Sequence, residues 1–410
     1  MNSRERILKT IDHKTPDRIP VDFGASTVTG ISAIAYNKLK SKLGLQTPTR
    51  VFDVVQQLAM IDPKITDQFG SDAVDINILF VDDREWYPVE LGDGSPGEYP
   101  DWFRPERDPD GSSFLRDPEG RKMSKMPADG SNFDQIFFPW ENGYPATFDN
   151  IKQAFSSINW IAHSHTNYVN IEPSELRKRV KELRVSSDKA IVMSGGAKFL
   201  ELGFFLRRMD NFLMDLFIDP FNTNRLLDKL MEIHLSGLEK KLNSVGDLVD
   251  VIRFGDDLGM STGPFMDLDV FRKYFKPRYK ELCDYVKQRS NMKIFFHSCG
   301  SIRPFIPDLI DVGFDILNPI QTNCVGMDAI ELKNEFGREI TFWGGGVDTG
   351  SILPGGTPEQ VRQDVLTRCE ILSKDGGFVF APIHNIVAGV PPENIIAAYN
   401  AVKEFNGLIS

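Results

Sequence analysis

The feature that most constrains this chain is a recurring alternation of short apolar runs with longer amphipathic stretches. Eight runs are short, apolar and bounded by turn residues, the pattern of strands covered on both faces of a parallel sheet. They are Ile19–Phe23, Ala73–Ile78, Ala190–Met193, Val249–Phe254, Lys293–Phe296, Phe314–Leu317, Ile340–Trp343 and Phe378–Ala381. Between them apolar positions recur at helical spacing. Leu213, Leu216, Phe217, Leu226, Leu227, Leu230 and Ile233 do so across two successive segments divided near Asp219-Pro220. Thr357-Pro358-Glu359-Gln360 sets Thr at an N-cap, Pro at the first helical position and Gln where it closes a capping box. Val361, Val365, Cys369 and Leu372 then follow at steps of four, four and three. Pro391-Pro392-Glu393 opens a last helix through Ile396, Tyr399 and Val402. Strand–helix alternation predicts a parallel sheet with helical crossovers, and eight strands are the number that closes into a (β/α)8 TIM barrel. An open doubly wound sheet is the alternative. Residues 1–410 read as one such domain.

Residues 84–150 break the rhythm, carrying Pro, Gly, Asp and eleven aromatic residues from Trp86 to Tyr144 without helical period. Asp117-Pro118-Glu119-Gly120 reads as a hairpin turn between short strands. An irregular stretch of this length is either functional or disordered, and its aromatic density argues against disorder. Because it follows the second run, in a barrel it would hang over the C-terminal mouth. It is expected to be an inserted, lid-like subdomain, the alternative being a surface hairpin that only thickens the fold.

Composition excludes several classes. A 41% hydrophobic and 26% charged chain is an ordinary globular one, and its formal net charge of −11 offers no basic face for nucleic acid or an anionic membrane. No run approaches the ~20 apolar residues of a membrane span. Met1-Asn2-Ser3-Arg4-Glu5-Arg6 is not followed by an apolar signal core. Four cysteines, at 283, 299, 324 and 369, are too few and too scattered for a disulfide framework. The expectation is a reduced cytoplasmic protein in which a special cysteine is a ligand or a nucleophile.

In barrels the reactive groups cluster just after the strand C-termini. Those positions hold Gly255-Asp256-Asp257, His297-Ser298-Cys299-Gly300, Asn318-Pro319-Ile320-Gln321, Gly344-Gly345-Gly346-Val347-Asp348 and Pro382-Ile383-His384-Asn385. An H-x-C pair leaving a strand can aim an imidazole and a thiolate at one zinc ion, which favours nitrogen and sulfur donors. His297 and Cys299 form that pair, and His384, which leaves the neighbouring end of the closed barrel, is the expected third ligand. Asp257 and Cys324 are the reserves. The alternative is a buried Cys beside a hydrogen-bonded His. Asp256 and Asp257 are candidates for a general base, a metal ligand or a substrate anchor, against helix capping and a solvated acidic loop. Gly344–Gly346 fits a tight turn better than a phosphate cradle, since no Lys or Arg follows at once. Cys283 and Cys369 fall within amphipathic helices and read as core. His163 and His165 lie two apart on a predicted helix, where they share no face. His13 and His234 have no supporting context.

The segment Ile294-Phe295-Phe296-His297-Ser298-Cys299-Gly300 resembles the His-x-Cys-Gly segment of the uroporphyrinogen decarboxylase superfamily. The resemblance extends to Thr15–Val21, to Gly255–Gly259 with Pro264, to Trp343–Asp348 with Leu353–Glu359, and to Pro382–His384 through Asn394. It covers nearly the whole chain outside 84–150 and implies the same barrel. Decarboxylases of the family carry an Arg-rich segment after the first strand that grips substrate carboxylates. Val21–Thr27 here has no Arg, so a polyanionic porphyrinogen would lack its main partner. The resemblance is therefore closest to the zinc- and corrinoid-dependent methyltransferase branch. That branch supplies zinc with a His, a Cys and a second Cys, where this chain has His384 in place of the last.

The resemblance implies a methyl group moved between a small methylated substrate and a corrinoid protein or thiol. His297, Cys299 and His384 would hold Zn2+, with Asp256 or Asp257 assisting proton transfer. Asn318, Gln321 and Asp348 would line the substrate pocket, and a partner protein would carry the corrinoid. A decarboxylase or other lyase acting on a different acid, and a non-catalytic binding barrel, are the competing readings.

Overall fold

In the computed structural model, which describes residues 1–80, 84–149, 151–163 and 171–409, seven of the eight apolar runs pair into one parallel sheet. Its strands are Ala73–Asp75, Ala190–Gly196, Val251–Gly255, Lys293–His297, Ile316–Asn318, Thr341–Trp343 and Phe378–Val379, and each is paired to the next in sequence. The eighth run, Ile19–Phe23, joins through Val21 alone. Val21 bridges Phe380 at one edge of the sheet, where Asp22 N–H donates to Phe380 O at 2.7 Å and Phe380 N–H to Pro20 O at 2.8 Å. At the other edge the Val21 carbonyl accepts Asp72 N–H at 2.7 Å. Hydrogen bonds thus pass right round the sheet, and the fold is a TIM-like α/β barrel. Pro20 has no N–H to give to a ladder, which explains why this segment pairs at a single position.

Inward side chains alternate along each strand. Ala73, Ala190, Val192, Val251, Phe295, Ile316, Trp343 and Val379 form one apolar cluster, closed from below by Ile7 and Ile11 of the helix Ser3–Ile11. A larger cluster, including Ile191, Ile252, Ile294, Phe296 and Leu317, fills the space between strands and helices. Two residues beyond the inward apolar positions come Asp75, His297 and Asn318, at the carboxyl ends of their strands, and Arg253, in the middle of its own. The chain therefore places a buried polar layer directly above its apolar filling.

The run Ala73–Ile78 is shorter as a strand than its apolarity suggests. Asp75 Oδ1 accepts Asn77 N–H at 2.8 Å, the side-chain turn that Asp favours, and Ile76–Phe80 follows as a 3-10 helix. The helices Met209–Ile218 and Pro220–Val245 meet at Asp219, whose carboxylate accepts Asn222 N–H. Both halves of the Thr357–Gln360 capping box are formed at the start of the helix Pro358–Leu372, and the last helix spans Pro392–Phe405. His163 ends the helix Ile151–His163, whereas His165 lies outside the described residues. Among the described residues no helix is long and apolar enough to cross a membrane.

Residues 84–149 contain the hairpin Trp86–Glu90 with Pro96–Pro100. They also contain an antiparallel sheet of Glu106–Arg107, Ser113–Arg116, Lys122–Met126 and Asp134–Gln135. Asp117–Gly120 forms the expected turn, with Gly120 at φ +80° and Asp117 Oδ1 accepting Arg121 N–H. Phe103 packs edge-on against Tyr99 and Phe133, with ring centres 5.2 Å away in both pairs. These elements bind segments that follow barrel strands. Phe133 N–H donates to Val55 O and Tyr99 Oη to Gln57 Oε1. Gln135 Nε2 donates to Phe205 O, and Trp140 N–H to Leu206 O.

Candidate metal centre

His297 occupies the last position of its strand, in register with Gly255 on one side and Asn318 on the other. Two residues above Phe295, it faces the barrel interior and is buried. The chain then turns out of the sheet through a set of specific contacts. Ser298 Oγ accepts Leu258 N–H at 2.9 Å, Cys299 N–H donates to Asp257 Oδ1 at 2.8 Å, and Gly300 N–H donates to Gln321 Oε1 at 2.7 Å. Gly300 stands at φ +93°, and a Cβ there would lie 2.4 Å from the Gly259 backbone. Only glycine fits this corner, which aims the preceding thiol back at the imidazole. Cys299 Sγ lies 3.5 Å from His297 Nε2. His384 arrives on the loop after Phe378–Val379, its ring centre 6.1 Å from that of His297. One ligand atom each from His297, Cys299 and His384 lie within 4.8 Å of one another.

A tetrahedral zinc with N and S ligands holds its donor atoms about 3.3–3.7 Å apart, so the Cys299–His297 spacing already fits and the rest is within rotamer adjustment. The tautomer of His297 fits too. Asn318 Nδ2 donates to Trp343 O at 2.7 Å, which turns its Oδ1 toward His297 Nδ1 at 2.5 Å. Nδ1 must therefore carry the proton, and Nε2 presents its lone pair to the Cys299 side. Burial, reinforced by His384, depresses the His297 pKa to about 3, and burial lowers that of His384. Both imidazoles are neutral at physiological pH, the form that binds metal. Burial and the Asp257 carboxylate hold the Cys299 thiol well above its ordinary pKa. A bound cation would be needed to make it a thiolate.

The other expected site residues have different neighbours. Asp257 is beside the cluster, its Oδ1 3.7 Å from His297 Nε2. Asp256 is not. Fully buried, it accepts Phe199, Leu200 and Glu201 N–H at 2.7–2.8 Å and the Tyr279 hydroxyl at 2.6 Å. It anchors the start of the helix Leu200–Arg207, and burial with the nearby Glu201 carboxylate pushes its pKa up to about 7. Asn318 has both ends of its amide engaged and orients His297 instead of lining a pocket. Gln321 holds the Gly300 corner. Asp348 is turned to its own loop, accepting Gly350 N–H and the Ser351 hydroxyl at 2.7 Å. Cys324 is buried outside the cluster, and Cys283 and Cys369 are fully buried in their helices, as expected of core residues. Gly344 and Gly345, at φ +96° and +90°, form a tight turn. Sequence reasoning missed Asp22, Asp75 and Arg253, which the alternation of inward positions along their runs would have placed on the same layer as His297.

Fold and site together define a TIM-like barrel with a His-Cys-His cluster at the carboxyl ends of its strands. The chain belongs to the uroporphyrinogen decarboxylase (URO-D) family, whose model matches residues 197–405, just over half of its length and the part that holds the whole cluster. Among solved structures, a methyltransferase from Methanosarcina mazei has a similar fold. Its TM-score is 0.58, with 17% identity over 99% of this chain and 99% of that one. No curated protein matches.

Proposed function

We propose that the protein is a zinc-dependent methyltransferase that moves a methyl group between a small methylated substrate and a corrinoid protein or thiol. The observation that carries this reading is the meeting of His297, Cys299 and His384, a donor set zinc favours, with one imidazole already locked in the ligating tautomer. When bound, zinc would supply Lewis acidity, lowering the pKa of a substrate thiol or polarising a leaving group. The chain's own residues do the remaining work. Asn318 fixes His297, the Gly300 corner fixes Cys299, and the half-buried Asp257 carboxylate accepts, at its oxygens, the proton that a thiol gives up. In this reading residues 84–150 are a lid-like subdomain that excludes water and shapes the pocket. The corrinoid protein docks over the same mouth. Four unpaired cysteines suit a reduced, cytoplasmic setting.

A lyase reading draws on the family match. Against it, the loop after Val21 carries no Arg, and its one buried acid, Asp22, is occupied by Ala25 N–H and the Trp343 indole. The test is elemental analysis combined with a screen of methylated substrates and reduced corrinoid. We expect about one zinc per chain, with turnover lost on chelation and restored by zinc. Full turnover after complete demetallation, or full zinc content in Cys299→Ala, would overturn the reading.

A further inference from the structure

Several buried carboxylates surround the barrel mouth, and their oxygens are supplied with donors. Asp22 takes Ala25 N–H and Trp343 Nε1–H, both at 2.8 Å. Asp53 takes the N–H groups of Val55 and Gln56 and the Gln56 side chain at 3.0–3.1 Å. Asp256 takes four donors, as described above. Asp75 differs. It is 9% exposed, its Oδ1 accepts Asn77 N–H at 2.8 Å, and its Oδ2 has no hydrogen-bond partner. Among the described residues it is the one buried carboxylate oxygen left in that state.

Asp75 lines a cavity of about 50 Å³ between the ends of Ile19–Phe23 and Ala73–Asp75, walled by Ala25, Phe52, Ala59, Met60 and Ile61. At roughly 10–15 Å³ per water-sized occupant, it has room for three or four non-hydrogen atoms. A buried carboxylate oxygen without a donor is costly, and although Ser26, Thr27, Thr66 and Asn77 also line the cavity, none of them makes a hydrogen bond to Oδ2. The charge of the layer selects among possible donors. Asp22 and Asp75 lie on neighbouring segments and repel each other, and the Arg253 guanidinium is the cation that acts on Asp75. Burial pushes Asp75 up to about 6, against the Asn77 hydrogen bonds and Arg253, so it is still mainly ionised at neutral pH.

We propose that this cavity is a recognition subsite for a small protonated amine, whose N–H donates to Asp75 Oδ2 while its carbons rest on the apolar wall. Asp75 lies on the same inward layer as His297. Gly30, another residue of the cavity wall, donates its N–H to Asn385 beside His384 at 2.6 Å, which ties the subsite to the metal cluster's loop. The subsite thus deepens the methyl-transfer reading by naming a cationic group on the substrate. Its catalytic meaning rests on that reading, but the binding itself does not.

The experiment uses three probes of equal size on the full chain: isopropylammonium, 2-propanol and acetate, followed by calorimetry or by NMR shifts. We expect saturable one-to-one binding of isopropylammonium at a Kd on the order of millimolar, with at least tenfold weaker binding of the alcohol and the anion. Asp75→Asn, whose amide oxygen still accepts from Asn77, should weaken isopropylammonium binding at least tenfold. Cys299→Ala should leave it unchanged, so a failed metal reading and a failed subsite are separable. Absence of saturable binding, undiminished binding in Asp75→Asn, or equal binding of the neutral or anionic probe would overturn the proposal. Should Asp75→Asn fail to fold, the ranking of the three probes on the unmodified chain decides it alone.

Discussion

Asn318 makes two hydrogen bonds that give the candidate centre its direction. With one end of its amide tied to the Trp343 carbonyl, the other end dictates which imidazole nitrogen of His297 is bare. Asn318→Leu keeps the volume and removes this orientation, so zinc affinity should fall by roughly 10–100-fold, as competition with a chromophoric chelator would measure, and the buried groups left without this partner should cost about 1–3 kcal/mol of stability. Unchanged affinity would mean that His297 is positioned by other contacts. The protonation states carry a second expectation. Both imidazoles are neutral and the Cys299 thiol sits well above its usual pKa, so zinc must displace about one proton, from sulfur alone. Because the free protein holds that proton throughout the neutral range, affinity should rise about tenfold per pH unit from pH 6.5 to 8.5. Titrations in buffers of different ionisation enthalpy would count the proton, and a pH-independent affinity would contradict the account.

Asp256 matters for the element it starts. Three consecutive backbone N–H groups at the head of Leu200–Arg207 converge on its carboxylate, together with the Tyr279 hydroxyl, all in a fully buried place. Asp256→Ala leaves those donors unpaired and should cost about 2–4 kcal/mol in denaturant unfolding, without changing the zinc content of the folded fraction. A variant of normal stability that has lost turnover would restore Asp256 to the chemistry. The contrast with Asp257 shows how far sequence carried the site. Adjacent acids at a strand end are both legible as functional candidates. Which one faces the mouth depends on the phase of the strand and on donors brought from residues 199–201 and 279. The same limit applies to Asn318, Gln321 and Asp348. Their positions after strands were readable, but the partners that occupy them come from distant segments. Asp75 was hidden for a related reason: the apolar run Ala73–Ile78 reads as one strand, and the acid inside it is where the strand ends.

Over the whole molecule, the alternation of runs and helices was enough to foresee the barrel, because strands covered on both faces must be apolar throughout and crossovers must be amphipathic. It did not foresee how sparse the closure is: Val21 bridges Phe380 and Ile31 bridges Ile386, each at one position, and Pro20 has no N–H to extend the first. Closure brings residues 297, 299 and 384 together, since the strands that carry them are not neighbours and meet only across a curled sheet. The central claim is that these three side chains share one zinc ion. X-ray absorption at the zinc edge of the purified full-length protein tests it most directly. The account predicts two imidazole nitrogens at about 2.0 Å and one sulfur at about 2.3 Å, with the sulfur contribution lost in Cys299→Ala. A shell of nitrogen and oxygen only, or a sulfur signal that survives that substitution, would contradict it.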